Sequence, residues 1–338
     1  MSRAAPSPLQ ERLRRISESR LPVTVWLLVV AAATAVLVCA MVPVGPDWLG
    51  TAGAVAIAST FTWALAARTG GRPVIFGLVA LAFALAVVLA GHEFLRTGAA
   101  VLTAGIAAVL GVMVTVPAQG FLQAVRESVV ATAVAAVGAL GAVGFEPTIR
   151  VVRFEYVTLG LALVGAFLLV YRLGAGLHGL GRRGLIVVGG GSIVLLLILL
   201  YAETLHRYGA AGFIDTLDSW VAWSRDELGA FPRPIMAVLG IPAIVYGGHM
   251  RARRRQGWWV CMFGVAATTR VATALTDPTV ALREIGLSVA YALVVGWLIG
   301  WLLIRLDLAL SGNRGRRRRV EEQAAAHRPE PPRTKPLL

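Results

Sequence analysis

Arg270 lies inside an apolar run, in the stretch Ala266-Ala-Thr-Thr-Arg-Val-Ala-Thr273. A guanidinium at the middle of a membrane costs about 2.5–3.5 kcal/mol, and less near the interface. Such a residue either snorkels to the boundary or holds an anion, for which its planar fork of donors is suited. Thr268, Thr269 and Thr273 can help hydrate a pocket around it. Other polar groups are expected at the same level: His92-Glu93, Glu203-x-x-His206-Arg207, and Asp277, Arg283 and Glu284. Glu203 and His206 are three apart and share a face of a continuing helix. The candidate substrate-binding set is therefore Arg270, Glu93, His92, Glu203, His206 and Arg207. The expected partner of Arg270 is Glu203 or Glu93, ahead of Asp277 and Glu284. Proton coupling through His92, Glu93 or Glu203 is one alternative; solvated span-end residues are the plainer one. The ligands do not converge as a metal site requires. No Ser-His-Asp arrangement, HExxH or Walker sequence is present, so no catalytic residue, metal or cofactor is assigned.

These residues must be positioned by membrane helices. The chain has 338 residues, of which 57% are hydrophobic and only 15% charged, against roughly 25% charged in a soluble domain. Apolar runs of about 20 residues follow one another. The expected fold is an all-α polytopic membrane helix bundle of about ten spans. They fall at Val23–Val42, Trp48–Ala67, Pro73–Gly91, Gly98–Pro117, Val129–Phe145, Tyr156–Leu173, Leu185–Ala202, Pro234–Met250, Gly257–Leu275 and Ile285–Leu306. The division is least sharp at Gln119–Glu127, where a polar helix face can continue a span. Gly189-Gly-Gly191 permits close helix approach or a kink. Cys39 and Cys261 lie in apolar runs and read as small core residues.

The net charge is +14, but the basic residues cluster in short segments between spans, which points away from nucleic acid. With both termini placed in the cytoplasm, inner segments hold 24 of the 32 Lys and Arg and outer segments hold 7. Lys and Arg are retained on the cytoplasmic side, so the chain is expected to be N-in and C-in. Three parts follow. Residues 1–21 form a basic cytoplasmic N-terminal segment and residues 22–306 the ten-span domain. Residues 307–338 form a basic, Pro- and Arg-rich tail expected to be disordered. The Ala, Gly, Val and Arg bias points to a GC-rich bacterial genome and hence to the plasma membrane.

Between spans seven and eight, the outer segment 203–233 carries an amphipathic helix. Phe213, Leu217, Trp220, Val221 and Leu228 recur at helical spacing, with Asp215, Asp218, Arg225 and Asp226 opposite. Such a helix lies in the interface. It either covers the bundle or acts as a lid, with Phe213, Leu217, Trp220 and Trp223 as lid residues.

Ten spans divide into inverted halves of five, as in several transporters. The inside–inside layout is similar in topology to the drug/metabolite transporter class. The reading that fits best is a transporter or lipid/anion translocase with an outer-face arginine site. The alternatives are a non-catalytic envelope-assembly or scaffold protein and an enzyme acting on lipid-linked substrates at the outer face; the pattern favours a non-enzyme. Expected partners are membrane lipids, an anionic lipid or small anionic substrate, and a protein docked through the basic tails. The topology is tested by a reporter active only in the cytoplasm. Fused at Leu338 it should be active, and fused at Gly212 silent; the reverse pattern rejects the orientation.

Overall fold

The structure is a computed structural model describing residues 21–42, 46, 48–148, 150–175, 181–208, 211–253, 256–324 and 330–337. Among these residues there is no strand. The helices are α1 (Leu21–Met41), α2 (Trp48–Arg68), α3 (Pro73–Ala90), α4 (Glu93–Met113), α5 (Phe121–Val143) and α6 (Val151–Val170), the last running into a π turn, Tyr171–Ala175. Next come α7 (Gly181–Tyr208) and α8 (Ala211–Leu228), and a π turn, Met236–Gly240, that leads into α9 (Ile241–Arg251). Two short helices, α10 (Gly257–Cys261) and α11 (Val265–Ala272), are joined by a tight turn into one continuous rod, and α12 (Leu282–Ala324) closes the bundle.

Among the described residues, eight helices are long and apolar enough to cross a membrane: α1 to α6, the rod Gly257–Thr276, and α12 over Leu282–Leu310. This suggests an integral membrane protein. The two other expected spans also fall on helices. One is α7, apolar over Val188–Leu200; the other is the π turn with α9. Neither α1 nor α3 contains a charged residue, and both leave large side chains outward, such as Leu28, Leu78 and Leu89. A helix that is apolar all round and still exposed needs an apolar solvent.

Several boundaries differ from expectation. The α4 helix starts at Glu93 and not at Gly98, α5 at Phe121 and not at Val129, and α6 at Val151 and not at Tyr156. Each extension adds polar residues to a helix end, among them Arg126, Glu127 and Glu155. They are tolerated because they are paired: Glu127 accepts from Arg126 and the Val116 amide, and Glu155 meets Arg270 and Arg233. Between α3 and α4, Gly91 adopts φ 68° and donates its N–H to Val87 and Val88, a left-handed cap that suits glycine.

The α4 helix and the rod Gly257–Thr276 lie at the centre and are mostly buried. They touch through Thr268, whose hydroxyl donates to the Ala108 carbonyl at 2.8 Å. Glycines let the backbones approach. A Cβ on Gly138 would stand 2.1 Å from that of Ala107, and one on Gly240 2.2 Å from the Ala267 nitrogen. Without a hydrophobic driving force between helices in lipid, such close packing supplies much of the association. Gly191 in α7 likewise sits against the Phe263 ring, and α7 stays helical through Gly189–Gly191. Gly191 alone of the three serves close approach, since a Cβ on Gly189 or Gly190 would meet nothing within 4 Å, and the run forms no break in the helix.

The α1 and α2 helices run antiparallel. Trp26 donates its indole N–H to the Thr60 carbonyl while Leu37 meets Gly53, so Leu21 and Arg68 share one end. That end also holds the turn after α4, the start of α5, the end of α9 and residues 330–337. It is called the tail end below.

Replacing Gly138 by Ala should lower the melting temperature in detergent, corresponding to a loss of about 1–3 kcal/mol from overpacking. Gly160→Ala, with nothing within 4 Å of the new Cβ, should leave it unchanged or raise it slightly. Equal melting temperatures for Gly138→Ala and the parent chain would contradict the packing described.

Candidate anion-binding site

The end of the bundle away from the tail holds Arg270. Its Nη1 pairs with Glu155 Oε2, and the other oxygen of Glu155 lies 3.5 Å from Arg233 Nη1. One carboxylate thus sits between two guanidiniums. Of the two expected partners, Glu93 does not hold Arg270, and the side chain of Glu203 lies outside the described residues. Glu93 and His92 are exposed at the start of α4. Ala108, level with Thr268, lies about 22 Å along that helix from Glu93 at 1.5 Å per residue. The partner is Glu155, which becomes available because α6 begins a turn earlier than its apolar run. The threonines are committed as well: Thr268 to Ala108, Thr269 to Val265, and Thr273 to Thr269 at 3.0 Å. They lock the rod and do not hydrate a pocket. Asp277 accepts from the amide and hydroxyl of Thr279, which holds its carboxyl below the usual carboxylate range; Glu284 pairs with Arg225 at 3.3 Å.

Glu203, His206 and Arg207 fall on α7, but their side chains lie outside the described residues, as does that of Phe213. The α8 helix turns Leu217, Val221 and the buried Ser224 inward. Trp220 and Trp223 are 64% and 59% exposed, so they do not close over the bundle. The helix is anchored at its C-terminal end: Ser224 donates to Ala230, and Tyr291 of α12 to Leu228. An apolar crevice of 220 Å³ opens between α2, α3 and α4, with Phe76, Phe83 and Phe145 in its wall and no charged residue.

The tail end carries a denser set of charges, and sequence reasoning missed it. Arg251, the last residue of α9, has a side chain with no exposed surface. Its Nη1 donates to Thr115 Oγ1 at 2.8 Å and its Nη2 to the Thr115 carbonyl at 3.0 Å. Its guanidinium carbon lies 3.5 Å from the centroid of a Trp258 ring, a stacked cation–π geometry. These contacts fix the plane of the fork, and its remaining edge meets Glu330: Nη2 to Oε2 at 2.6 Å and Nε to Oε1 at 3.3 Å.

Residues 330–337, expected to be disordered, occupy this pocket, and α12 continues as helix to Ala324. The segment is held by charge and backbone pairing that a composition argument does not see. Arg68 donates Nε to the Met113 carbonyl and Nη1 to the carbonyls of Pro332 and Lys335. The Leu337 amide returns a bond to the Arg68 carbonyl at 2.8 Å. The Leu337 side chain joins the apolar cluster that contains Trp258 and Trp259. Arg333 reaches Glu127 at 2.7 Å. Glu127 is 1% exposed and also accepts from Arg126 and from the Val116 amide.

A signal for this site was present. Glu127 is the one acid of a short inner segment whose one base is Arg126, and Glu330-Pro-Pro-Arg-Thr-Lys-Pro-Leu-Leu338 ends a polar tail on two leucines. Arg68 and Arg251 also satisfy the charge rule for inner segments, which carries no information about burial.

No protein-family model, no curated protein and no solved structure matches the chain.

The ion cluster around Arg270 generates a test by double-mutant cycle. Arg270→Gln should cost about 2–3 kcal/mol, the range for losing a charged hydrogen bond in a partly buried pair. Glu155→Gln should cost more, because it leaves both Arg270 and Arg233 without their acid. The double variant should cost less than the sum. Additive losses in detergent unfolding would contradict the pairing.

Proposed function

We propose that this chain is an integral membrane protein that binds and moves an anion, either a small solute or the headgroup of an anionic lipid, and that its working site is the tail-end pocket. The observation that carries the reading is a fully buried guanidinium, Arg251, whose acidic partner, Glu330, comes from the segment 330–337 and not from a core helix. A buried charge left without a counter-ion is strongly destabilising, by about 3–5 kcal/mol when one partner is removed. Any state in which the segment leaves therefore needs another anion on Arg251, with Arg68 beside it. The reading moves the arginine site from Arg270 to the other end of the bundle.

In this reading α7 and the helix ending at Arg251 also cross the membrane, giving ten spans with both termini in the cytoplasm of a bacterium. The tail-end pocket then faces the cytoplasm. Trp220 and Trp223 sit at the outer headgroup level, where exposed aromatic side chains are favoured. Membrane lipids are the immediate partners.

A second reading, a non-catalytic scaffold, is favoured by one specific observation: the charge of Arg270 is already met by Glu155, and the surrounding threonines bond to backbone. An outer-face enzyme site has less support, since Arg270 is not open to a substrate there.

Reconstitution into vesicles separates the readings. The full chain and Glu330→Gln are tested for movement of fluorescently labelled phosphatidylglycerol and of radiolabelled phosphate. Movement by at least one of them, lost on adding Arg251→Gln, is expected. No movement above protein-free vesicles by either form would end the translocation reading in favour of the scaffold.

A further inference from the structure

We propose that Arg68 and Arg251 form a phosphate-binding site that the chain's own segment Glu330–Leu337 fills, with the Glu330 carboxylate standing where two phosphate oxygens bind. The proposal rests on the reading of this pocket as the ligand site and adds the class of ligand and its internal competitor.

The cationic wall is built without the segment. Arg251 is oriented by Thr115 and by the Trp258 ring, and Arg68 by the Met113 carbonyl. Both guanidiniums would keep their planes if Glu330–Leu337 withdrew. Glu127 would also keep partners in Arg126 and the Val116 amide. What withdrawal exposes is therefore the outer edge of Arg251 and the Nη1 of Arg68. Preset forks of this kind suit bidentate binding of phosphate.

The segment is an incomplete counter-ion. Arg68, Arg126 and Arg251 oppose one wall acid, Glu127, which leaves two positive charges unmatched. Glu330 supplies one negative charge against the two positive charges of Arg333 and Lys335, so the segment adds no net negative charge. To Arg68 the segment offers only neutral carbonyls, from Pro332 and Lys335. The Nη2 of Arg68 is buried with no hydrogen-bond partner among the described residues. A phosphate carries a charge of about −1.5 to −2 and three acceptor oxygens. It can satisfy the Arg251 edge and Arg68 together, which a single carboxylate does not.

The segment is also suited to leave. Its internal bonding among the described residues includes one turn, from the Lys335 amide to the Pro332 carbonyl at 2.9 Å. Pro331, Pro332 and Pro336 remove three backbone donors that would otherwise have to be satisfied. The chemistry recognised is a phosphate, whether free or at the head of a lipid.

The test uses the full chain, Glu330→Gln and a chain ending at residue 329, each purified in neutral detergent. Each is titrated with inorganic phosphate and, separately, with dihexanoyl phosphatidic acid, following tryptophan fluorescence, since Trp258 lies against Arg251. Both variants should bind one of these probes at least about tenfold more tightly than the full chain, a difference of about 1.4 kcal/mol. A synthetic peptide of residues 330–338 should compete. Tight binding of inorganic phosphate identifies a free anion as sufficient; tight binding of the lipid alone identifies a headgroup. Equal affinity in all three chains, or no competition by the peptide, overturns the proposal. If the shortened chain does not fold, Glu330→Gln decides, because it keeps the carbonyls on Arg68 and the Arg333–Glu127 pair. Failure of both variants to fold also overturns it, since the segment is then a fixed strut. Tail-dependent binding without movement across vesicles leaves this site standing and removes only the translocation reading.

Discussion

A guanidinium taken wholly out of water must find acceptors on every edge, and Arg251 is the residue on which that constraint falls hardest. Its side chain has no exposed surface. Desolvating such an ion costs several kcal/mol even after relaxation, so its surroundings are dictated. Thr115 is pinned at the end of α4, Trp258 supplies a ring face, and Glu330 completes the fork. Because Glu330 belongs to the chain terminus, one local need of charge ties together α4, α9, α10 and the last residues of the protein. The turn after α4 is held by the same end of the bundle: the Ala118 amide donates to the Gly248 carbonyl of α9 at 3.0 Å.

The pocket can exist only because the helices behind it pack very closely. Alanine and glycine dominate the contacts between α4, α5 and the rod Gly257–Thr276. Buried backbone is brought near enough for threonine hydroxyls to bond across or along helices. The two ends of the bundle then solve one problem differently. At the Arg270 end a carboxylate carried on α6 is shared by Arg270 and Arg233. At the tail end the carboxylate is borrowed from a segment joined to the core by residues 325–329. The contrast is between an acid carried on a core helix and one carried on the segment 330–337.

Much of the architecture was legible in the sequence. Runs such as Val23–Val42 and Pro73–Gly91 contain no charged residue, and a helix apolar on all sides has few places to go but lipid. Helix starts were less legible, since hydropathy marks where a chain leaves hydrocarbon and not where helical geometry begins. The error at α6 hid Glu155, and with it the true partner of Arg270. The tail pocket was hidden for a different reason. Arg68 and Arg251 obey the rule that places cations on one side of a membrane, and that rule is silent about burial. Proline-rich, charged composition signals a lack of local structure, but docking of Glu330–Leu337 depends on Arg68 and Arg251, which donate to it from α2 and α9, and on Glu127 of α5, which accepts from it. Long-range charge pairing leaves no periodic trace in a sequence.

The central claim is that the terminal segment occupies the arginine pocket of the folded protein, and amide hydrogen exchange of the intact chain tests it most directly. The Leu337 amide bonds to the Arg68 carbonyl and the Lys335 amide to that of Pro332. Both should exchange far more slowly than an unstructured peptide of the same sequence, and added inorganic phosphate should speed them up. Exchange of Leu337 and Lys335 at the rate of the free peptide, with or without phosphate, would contradict the account.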